Sequence, residues 1–542
     1  MKKKTITICI AALLLVAVAG GTALLLSGRT DRNPTQPQAQ LPAMRDPIDD
    51  NYRTFYQIFV GSFSDSDGNG TGDLQGIIQR FDYLNDGNIN SGESLGVQGI
   101  WLSPIFSSPS YHKYDAADYY QVSVKYGKME DLQELIALCK ERNVKLILDL
   151  AINHTSDQHP WFAKFVEART NGNANDPYFD YYTCVLQDEK QGGVTYQRIG
   201  TTPYWYECNF SGDMPELNYD NQQVRQEMLN VAKFYLDMGI DGFRFDAVKY
   251  IYYGDTPRSV AFWQWYMEEL KKIKPDIYCV GECWSGETEV LEYYGAMNCF
   301  NFATSQAEGL FAATAKGRSI DQFTNYMESY QKRVLACAPE GMVMSFLSNH
   351  DMDRIAGSFL FESQTRMAAN LYLLSSGSPV IYYGEEIGMR GSRGGANTDA
   401  NRRLAMLWGD GDTVKNPVGS TYLTQNQIQT TVADQMADEN SMYQYYCRLI
   451  AVRHKYPAIA RGAYTALSCG KNTFGGFLIE HEGEKLGLFH NTSNEEVTYD
   501  LSKCKALSGH SFTQLLDAIG AGTARLEGNM LTVGAYTSVI LG

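Results

Sequence analysis

Residues 242–246 read Gly-Phe-Arg-Phe-Asp, and residues 281–284 read Gly-Glu-Cys-Trp; these two segments decide the fold. Each places a carboxylate at the end of a short apolar run. A third apolar run, at residues 342–347, leads into Asn-His-Asp at 349–351. Short apolar runs bounded by turn residues are typical of buried parallel strands. We therefore expect three strands that each end in an acid.

The three acids are Asp246, Glu282 and Asp351. In a barrel of alternating strands and helices, the carboxyl ends of the strands carry the chemistry, so these acids would meet there. Cleavage of a glycosidic bond needs one carboxylate as nucleophile and a second carboxyl group that stays protonated. One such acid alone would more often cap a helix or pair with a surface lysine. The three together suit glycosidic bond cleavage.

Strands and helices alternate in the segments that precede these acids. The apolar pattern predicts strands at residues 55–60 and 97–102, with a helix at 77–84 between them. Apolar residues at helical spacing predict a second helix at 129–142, and a third strand follows at 144–150. This alternation predicts a parallel sheet with right-handed crossovers.

Two later regions depart from this alternation. The polar stretch between His154 and about Tyr219, rich in Asn, Gly and Tyr, is long enough to be a small domain or a functional insertion. The barrel pattern resumes at 231–236 and ends at 379–383. From about residue 460, apolar and polar residues alternate between turns, which predicts an antiparallel β domain.

Residues 149–154, Asp-Leu-Ala-Ile-Asn-His, complete a set of four strand-end motifs. In order and spacing, the four motifs resemble the signature regions of the α-amylase family, glycoside hydrolase family 13. Residues 214–218, Met-Pro-Glu-Leu-Asn, resemble a fifth motif of that family, which usually has Asp in place of Glu216. This motif resembles the group intermediate between oligo-1,6-glucosidases and neopullulanases. The resemblance covers about residues 50 to 540.

The resemblance implies an α/β protein: a (β/α)8 TIM barrel with a B domain inserted after the third strand and a C-terminal antiparallel β-sandwich domain. A barrel of this type takes about 250 residues or more, which leaves room in the chain for both extra domains. We assign residues 49–154 and 221–458 to the catalytic barrel, residues 155–220 to the B domain and residues 459–542 to the C-terminal domain.

Position by position, the resemblance makes Asp246 the nucleophile, Glu282 the general acid/base and Asp351 the carboxylate that holds the sugar hydroxyls and favours a distorted ring. Arg244 lies two residues before Asp246, on the same side of its strand. Its fixed charge should keep Asp246 ionised. The apolar neighbours of Glu282 should raise its pKa toward the value that a general acid needs.

Other residues of these motifs are candidate sugar contacts. The resemblance implies that His154 and His350 hydrogen-bond sugar hydroxyls in the subsite before the cleaved bond, and that Tyr114 stacks beneath the same sugar. Outside such motifs, a lone histidine is more often structural. Lys249 would reach the sugars on the leaving-group side of the bond. Further candidates for substrate binding are Arg244, His112, Asp115 and Arg403.

Residues 65–73 read Asp-Ser-Asp-Gly-Asn-Gly-Thr-Gly-Asp and place an oxygen ligand at every second position. This density of hard oxygens suits Ca²⁺, as in an EF-hand loop, although the Glu at the twelfth position of an EF-hand is missing. The loop resembles the calcium site after the first barrel strand in the oligosaccharide-cleaving branch of the family, where Thr71 would contribute its carbonyl. An Asx-rich turn without a metal is the alternative. We expect Ca²⁺ as the cofactor, with ligands from Asp65, Asp67, Asn69, Thr71 and Asp73.

The N-terminus carries a targeting pattern. Lysines at positions 2–4 precede an uncharged, largely apolar stretch at residues 5–27, as in a signal peptide or a signal anchor. The stretch is long enough to span a bilayer, and Ala-Val-Ala at 17–19 offers a cleavage site, so both forms stay open. We assign residues 1–28 to this segment and residues 29–48 to a flexible linker. The protein would be extracellular, either secreted or anchored at the outer face of the cytoplasmic membrane.

The charge and the cysteine content of the chain indicate which partners and which disulfides to expect. The chain has 46 basic and 62 acidic residues, a net charge of −16, which argues against nucleic acid as a partner and favours a neutral ligand. Ten of the eleven cysteines lie outside the apolar stretch; they show no repeated spacing, so free buried thiols are the default. Cys184 and Cys208 could pair in an exported protein. We expect a monomer.

Two patterns point to different specificities. Residues 403–408 resemble a motif of oligosaccharide glucosidases, and Asp115 with Arg402 or Arg403 could close the pocket to longer chains, as in an exo-acting α-glucosidase or oligo-1,6-glucosidase. Ala247 and Lys249 instead resemble the α-1,4-specific pattern, so we favour a retaining α-amylase acting on starch and maltooligosaccharides. The alternative from another class is a non-catalytic, membrane-anchored ectodomain or starch-binding protein, against which the intact set of acids argues.

Overall fold

The computed structural model describes residues 50–88, 91–428 and 430–542, which belong to one compact unit. The predicted targeting segment, residues 1–28, and the predicted linker, residues 29–48, lie outside the described residues. Within the described ranges, no helix is both long enough and apolar enough to cross a membrane.

A parallel sheet forms the centre of the fold, and its short apolar strands are buried on both faces. The run at residues 344–346, predicted as a strand, forms only two isolated parallel bridges, Phe300–Met344 and Phe346–Val380. These bridges join the two edges of the sheet, so eight segments close into the predicted barrel. In sheet order, the strands are Asn298–Cys299, Tyr278–Gly281, Gly242–Phe245, Lys145–Leu150, Gly99–Leu102, Phe55–Ile58 and Val380–Tyr382.

Helices connect the strands and cover the sheet. The helix predicted at 129–142 spans Met129–Glu141 and buries the apolar face that its periodicity indicated. The helix predicted at 77–84 is two short helices, Leu74–Gln79 and Phe81–Leu84, separated by Arg80. The remaining α-helices are Pro160–Asn171, Gln222–Met238, Thr256–Ile273, Glu287–Tyr293, Leu310–Ala315, Ile320–Cys337, Glu362–Leu373, Thr424–Gln427, Val432–Ala437, Met442–Lys455 and Pro457–Arg461.

Two smaller antiparallel units are inserted beside the barrel strands. A short hairpin, Phe106–Ser107 and Asp118–Val122, follows the second barrel strand. After the third barrel strand come the helix Pro160–Asn171 and a small sheet, before the barrel resumes with the helix Gln222–Met238. The strands of that small sheet are Cys184–Leu186, Tyr204–Glu207 and Tyr196–Arg198.

The C-terminal region consists of two antiparallel sheets that share one apolar core, as expected for a β-sandwich. The helix Pro457–Arg461 precedes its first strand, so the boundary proposed at residue 459 falls inside a helix. One sheet contains Ala463–Lys471, Phe474–His481, Glu484–Asn491, Thr537–Leu541 and Leu515–Gly520; the other contains Val497–Asp500, Met530–Val533 and Ala524–Glu527.

The cysteines of the described ranges are all free thiols. Cys184 and Cys208 are therefore not bonded to each other. Most of these thiols are buried, as expected, but Cys184 is half-buried and Cys337 is exposed. Cys337 is the last residue of the helix Ile320–Cys337, which explains its access to solvent.

Candidate active site

The sheet register brings the strand-end residues together. Asp149 lies opposite Arg244 in the pairing of the third barrel strand with the fourth, and Arg244 lies opposite Val280 of the fifth. Asp246 and Glu282 follow the ends of the fourth and fifth strands directly. Because neighbouring parallel strands end at the same edge, all these side chains meet at the carboxyl end of the barrel.

Arg244 is the centre of this cluster and is fully buried. Its Nη1 donates to Oδ1 of Asp149 at 2.7 Å and to Oδ1 of Asp246 at 2.8 Å. Its Nη2 forms an ion pair with Oε1 of Glu282 at 3.0 Å. One guanidinium thus contacts three carboxylates, and its planar geometry fixes their relative positions.

Burial and Arg244 act in opposite directions on the pKa values of the two central acids, Glu282 and Asp246. Burial raises the pKa of Glu282 to about 7, although Arg244 opposes the shift; the predicted rise is confirmed. For Asp246 the sequence predicted that Arg244 keeps the carboxyl group ionised, and Arg244 does act to lower its pKa. Burial raises the pKa of Asp246, and this outweighs the opposing effect of Arg244, whose charge is shared among three carboxylates. The sequence could not reveal that sharing.

Asp351 has a different environment. Burial alone would raise the pKa of Asp351, but His350 and Arg403 outweigh it and hold the pKa below its ordinary value. Nη2 of Arg403 lies 2.7 Å from Oδ1 of Asp351, and Nε2 of His350 lies 2.9 Å from Oδ2. Asp351 is therefore the carboxylate of this site that its neighbours keep ionised.

Asp115 and the arginines that could close the pocket with it, Arg402 and Arg403, bind other partners. Asp115 accepts hydrogen bonds from the hydroxyls of Ser108, at 2.7 Å, and Ser110. Arg403 instead pairs with Asp351, and Arg402 pairs with Asp353 at 2.7 Å and with Asp399 at 2.9 Å. Nothing in the local sequence shows which of several acids a distant arginine reaches.

Asp149 is a member of the cluster that sequence reasoning did not select. It is fully buried, and its Oδ2 accepts hydrogen bonds from Nε1 of Trp101 at 3.1 Å and from the hydroxyl of Tyr114 at 2.8 Å. The Tyr114 hydroxyl also lies 2.7 Å from Nε2 of His350, and the two rings stack with centroids 5.3 Å apart. The sequence feature that could have identified Asp149 is its position at a strand end, five residues before His154.

His154 and His112 are both neutral near pH 7. Burial lowers the pKa of each ring to about 4. Nε2 of His154 is buried and has no hydrogen-bond partner among the described residues, so it can bind a ligand hydroxyl. Nδ1 of His112 lies 3.1 Å from the Ser110 hydroxyl and accepts from the Tyr114 amide, which assigns His112 a role in supporting Tyr114.

The rim of the site carries residues that extend it outward. Nζ of Lys249 donates to the carbonyl of Trp284 at 2.8 Å. The Trp284 ring is 42% exposed and stacks on Phe302, with centroids 5.1 Å apart. Phe210, also exposed, lies 5.2 Å from the His154 ring. Flat exposed rings beside a cleft suit the apolar faces of sugars, and only the tertiary structure shows that these two rings lie at the rim.

The loop at residues 65–73 brings its acids together. Ligand oxygens of Asp65, Asp67 and Asp73 all lie within 4.8 Å of one another. Asp65 also accepts from the Gly70 amide at 2.7 Å, and Thr71 donates its own amide to Asn69 at 2.8 Å. Three convergent carboxylates on a tightly folded loop fit a hard cation with oxygen ligands.

Comparisons with known proteins agree with this geometry. Residues 57–462 match the family described as "Alpha amylase, catalytic domain". Alpha-amylase 3 of Dictyoglomus thermophilum is 35% identical over 497 residues, which cover 90% of this chain and 92% of that protein. An oligo-1,6-glucosidase of Bacillus cereus is 28% identical over 525 residues, which cover 82% and 91%. The solved structure of Eubacterium rectale Amy13B is 34% identical, with a TM-score of 0.83 and coverage of 92% of this chain and 96% of that one.

The matched range contains the barrel except for the first two residues of its first strand, together with the inserted small sheet and all four strand-end motifs. The similarity to Alpha-amylase 3 and to Amy13B extends beyond it into the C-terminal sheets, since each covers about nine tenths of the chain. Sequence motifs, barrel topology and overall similarity therefore agree, and the chain belongs to the α-amylase family, glycoside hydrolase family 13.

Proposed function

We propose that this family member is a retaining α-amylase that cleaves α-1,4-glucosidic bonds in starch and maltooligosaccharides. One observation carries the retaining mechanism: Asp246 and Glu282 bind the two terminal nitrogens of the same guanidinium, at 2.8 Å and 3.0 Å. Inverting enzymes hold their two carboxyl groups farther apart, at about 6.5–9.5 Å, to admit a water between them and the sugar. Retaining enzymes hold the two groups only about 5–5.5 Å apart, and two carboxyl groups bound to one guanidinium favour that arrangement.

In the proposed mechanism, Asp246 attacks the anomeric carbon while Glu282 donates its proton to the departing glycosidic oxygen. The raised pKa of Glu282 keeps that proton available near neutral pH. Glu282 then removes a proton from the water that hydrolyses the glycosyl-enzyme. Asp351 stays ionised and, with His350, binds sugar hydroxyls, and the unpaired Nε2 of His154 accepts or donates a further hydrogen bond.

The α-1,4 preference rests on the surroundings of the nucleophile. Ala247 is small and leaves space on the leaving-group side, where Lys249 and the exposed Trp284 lie. Arg403 pairs with Asp351 and not with Asp115, so no ion pair between Arg403 and Asp115 closes the site. The exposed Trp284 ring beside Lys249 suits chains of several sugars.

An exo-acting α-glucosidase or oligo-1,6-glucosidase is the second candidate, supported by the similarity to an oligo-1,6-glucosidase over most of the chain. Measuring kcat/KM on maltose, isomaltose and maltoheptaose separates the two. The proposal expects maltoheptaose to be the best substrate, with several shorter oligosaccharides as first products. Preference for isomaltose, or glucose as the sole first product of maltoheptaose, would overturn it. A chain inactive on all three substrates would instead support the non-catalytic alternative.

We also propose Ca²⁺ as a structural cofactor. The acids Asp65, Asp67 and Asp73 would hold it, with Asn69 and the carbonyl of Thr71 completing the oxygen ligands. Bound there, the cation would neutralise three acids and stabilise a loop that already contacts the Thr413 hydroxyl through Asp65, at 2.5 Å. Asp65 of this loop contacts Asp412 and Thr413 and none of the carboxylates around Arg244, so the role proposed for the cation is structural.

The location of the protein is proposed from its sequence. The basic and apolar N-terminal segment supports export, with the catalytic unit outside the cell, either secreted or anchored by an uncleaved segment. Polymeric starch cannot cross a membrane, so an extracellular amylase would meet its substrate there. A monomer is proposed as the active form. Fractionation of expressing cells, with and without signal peptidase inhibition, tests the location.

A further inference from the structure

Cys469 and Cys504 lie side by side in the C-terminal domain, thirty-five positions apart in sequence. Both side chains are buried in the apolar core that the two sheets of the domain share. Sγ of Cys504 also lies 3.6 Å from the carbonyl oxygen of Ser468, the residue before Cys469. Neither the sequence spacing nor the α-amylase chemistry accounts for this pair of thiols.

We propose that Cys469 and Cys504 form a reversible disulfide that links the two sheets of the C-terminal sandwich. Cys469 belongs to the strand Ala463–Lys471 of the larger sheet. Cys504 follows the strand Val497–Asp500 of the smaller sheet. A bond between them would close a loop that contains three strands, and such a constraint stabilises a fold mainly by restricting its unfolded state.

The backbone at both cysteines can adjust to a covalent bond. The pairing of the strand Ala463–Lys471 with its neighbour is irregular between Ser468 and Lys471, so Cys469 lies in a bulge. Cys504 lies between two 3₁₀ turns, Leu501–Lys503 and Lys505–Leu507. Neither residue is fixed by a regular ladder, so the backbone at both can adjust to the geometry that a disulfide requires.

The reaction needs an oxidant and a path to the thiols. Cys504 lines a surface cavity of about 550 Å³ whose wall also contains Lys503, Lys505 and His510. The hydrogen bond from Cys469 lowers the pKa of the Cys504 thiol, which favours the reactive thiolate. A cationic cavity beside a thiolate suits a small anionic disulfide such as oxidised glutathione.

The steps balance with oxidised glutathione as the oxidant. The Cys504 thiolate attacks one glutathione sulfur, which forms a mixed disulfide and releases one glutathione thiolate that takes up a proton. Cys469, after losing its proton, attacks Sγ of Cys504 and releases the second glutathione. Two protein thiols are oxidised by two electrons, and one glutathione disulfide is reduced to two glutathione thiols.

A metal site formed by the same thiols is not supported. In the part of the chain that the structure describes, Asp65, Asp67 and Asp73 are the only group of three or more acidic, cysteine or histidine side chains placed to share an ion. The two thiols alone do not provide the four ligands that a structural zinc ion takes. Oxidation to a disulfide is therefore the chemistry that this pair favours.

The test oxidises the folded full chain with glutathione disulfide and compares it with the chain reduced by dithiothreitol. We expect a loss of two titratable thiols and a cross-linked peptide that joins Cys469 to Cys504 in a non-reduced digest. The melting temperature should rise by several degrees on oxidation in the wild type and in Cys337→Ser, which lacks the exposed thiol, but not in Cys504→Ser.

If Cys504→Ser fails to fold, the digest of the oxidised wild type decides alone. Recovery of the linked peptide supports the disulfide. Recovery of both peptides unlinked, or of Cys504 carrying glutathione with Cys469 still reduced, overturns it. Oxidised glutathione that leaves both thiols unchanged overturns it as well.

Discussion

The backbone amide of Ala247 donates a hydrogen bond to Oε2 of Glu282, at a distance of 3.3 Å. Ala247 has a left-handed backbone conformation, with φ of 50°, and it directly follows Asp246. The residue after the proposed nucleophile thus helps to position the proposed acid. The two carboxyl groups are coupled through this backbone contact as well as through Arg244.

The left-handed conformation at Ala247 makes its substitution informative. We expect Ala247→Val to destabilise the fold by about 1–2 kcal/mol, because a branched Cβ is strongly disfavoured in this conformation. Ala247→Gly should be neutral or slightly stabilising, since glycine adopts the conformation without strain. Urea unfolding at one pH measures both changes. A valine variant as stable as the wild type would show that the conformation at this position is unimportant.

Loss of either central acid should abolish turnover without unfolding the chain. We expect Glu282→Gln to lower kcat by about 10²–10⁴-fold, the usual contribution of a general acid, and Asp246→Asn to lower it at least as much. A fluorinated sugar should label Asp246 in the wild type. Circular dichroism checks the folding of each variant.

The matched control is Asp241→Asn, at the opposite end of the same strand, where the side chain accepts from the Leu146 amide. This variant should keep its activity on starch. Wild-type turnover in Asp246→Asn would show that Asp246 is not the nucleophile. Wild-type turnover in Glu282→Gln would show that Glu282 is not the general acid. Labelling of a residue other than Asp246 would reassign the nucleophile.

The raised pKa of Glu282 predicts how activity and stability depend on pH. Because the acid must be protonated, kcat/KM should fall about tenfold per pH unit above about 7. The folded state also retains this proton where the unfolded state, with a pKa near 4.5, loses it. The stability that Glu282 contributes is therefore fully present below pH 4.5 and lost as the pH rises through about 7.

A pH–rate profile on maltoheptaose and unfolding at several pH values measure both effects. Glu282→Gln should show a smaller fall in stability between pH 4.5 and 7 than the wild type. A basic limb of activity near the ordinary carboxyl pKa would contradict the environment described for Glu282.

Calcium bound at the loop of residues 65–73 should stabilise the fold by mass action, because the ion binds the native state. A chelator should therefore lower the melting temperature of the wild type, and it should have little further effect on Asp67→Ala. The Asp67 side chain is exposed, so this variant should fold. Asp82→Ala, at another exposed acid, is the control and should keep the chelator response. Equal responses of Asp67→Ala and the wild type would place the ion elsewhere.

Lys249 should matter more for long substrates than for short ones. We expect Lys249→Ala to lower kcat/KM on maltoheptaose by a factor that corresponds to about 1–2 kcal/mol, the value of one charge-assisted hydrogen bond. Its hydrogen bond to the Trp284 carbonyl would also be lost, which loosens the exposed ring. Lys249→Met, which keeps the apolar stem, should behave like Lys249→Ala. An equal loss on maltose would assign Lys249 a structural role.

Much of the fold and part of the site were readable from the sequence. The runs before Asp149, Asp246 and Glu282 form the buried parallel strands that their apolar patterns predicted. The convergence of these acids followed from topology, because parallel neighbours end at one edge. The run at 342–347 is a less regular strand than predicted, because single bridges and not continuous ladders pair it with its two neighbouring strands.

Contacts between distant segments decided the rest. Periodicity and spacing determine which residues are buried and at which end of a strand a side chain lies, because both depend on near neighbours in the chain. Other features depend on distances between segments far apart in sequence. These features are the acid with which Arg403 pairs and the sharing of the Arg244 charge, which decides the direction of the Asp246 pKa shift. The contact of Cys469 with Cys504 is of the same kind, since only the packing of the two C-terminal sheets brings those sulfurs together.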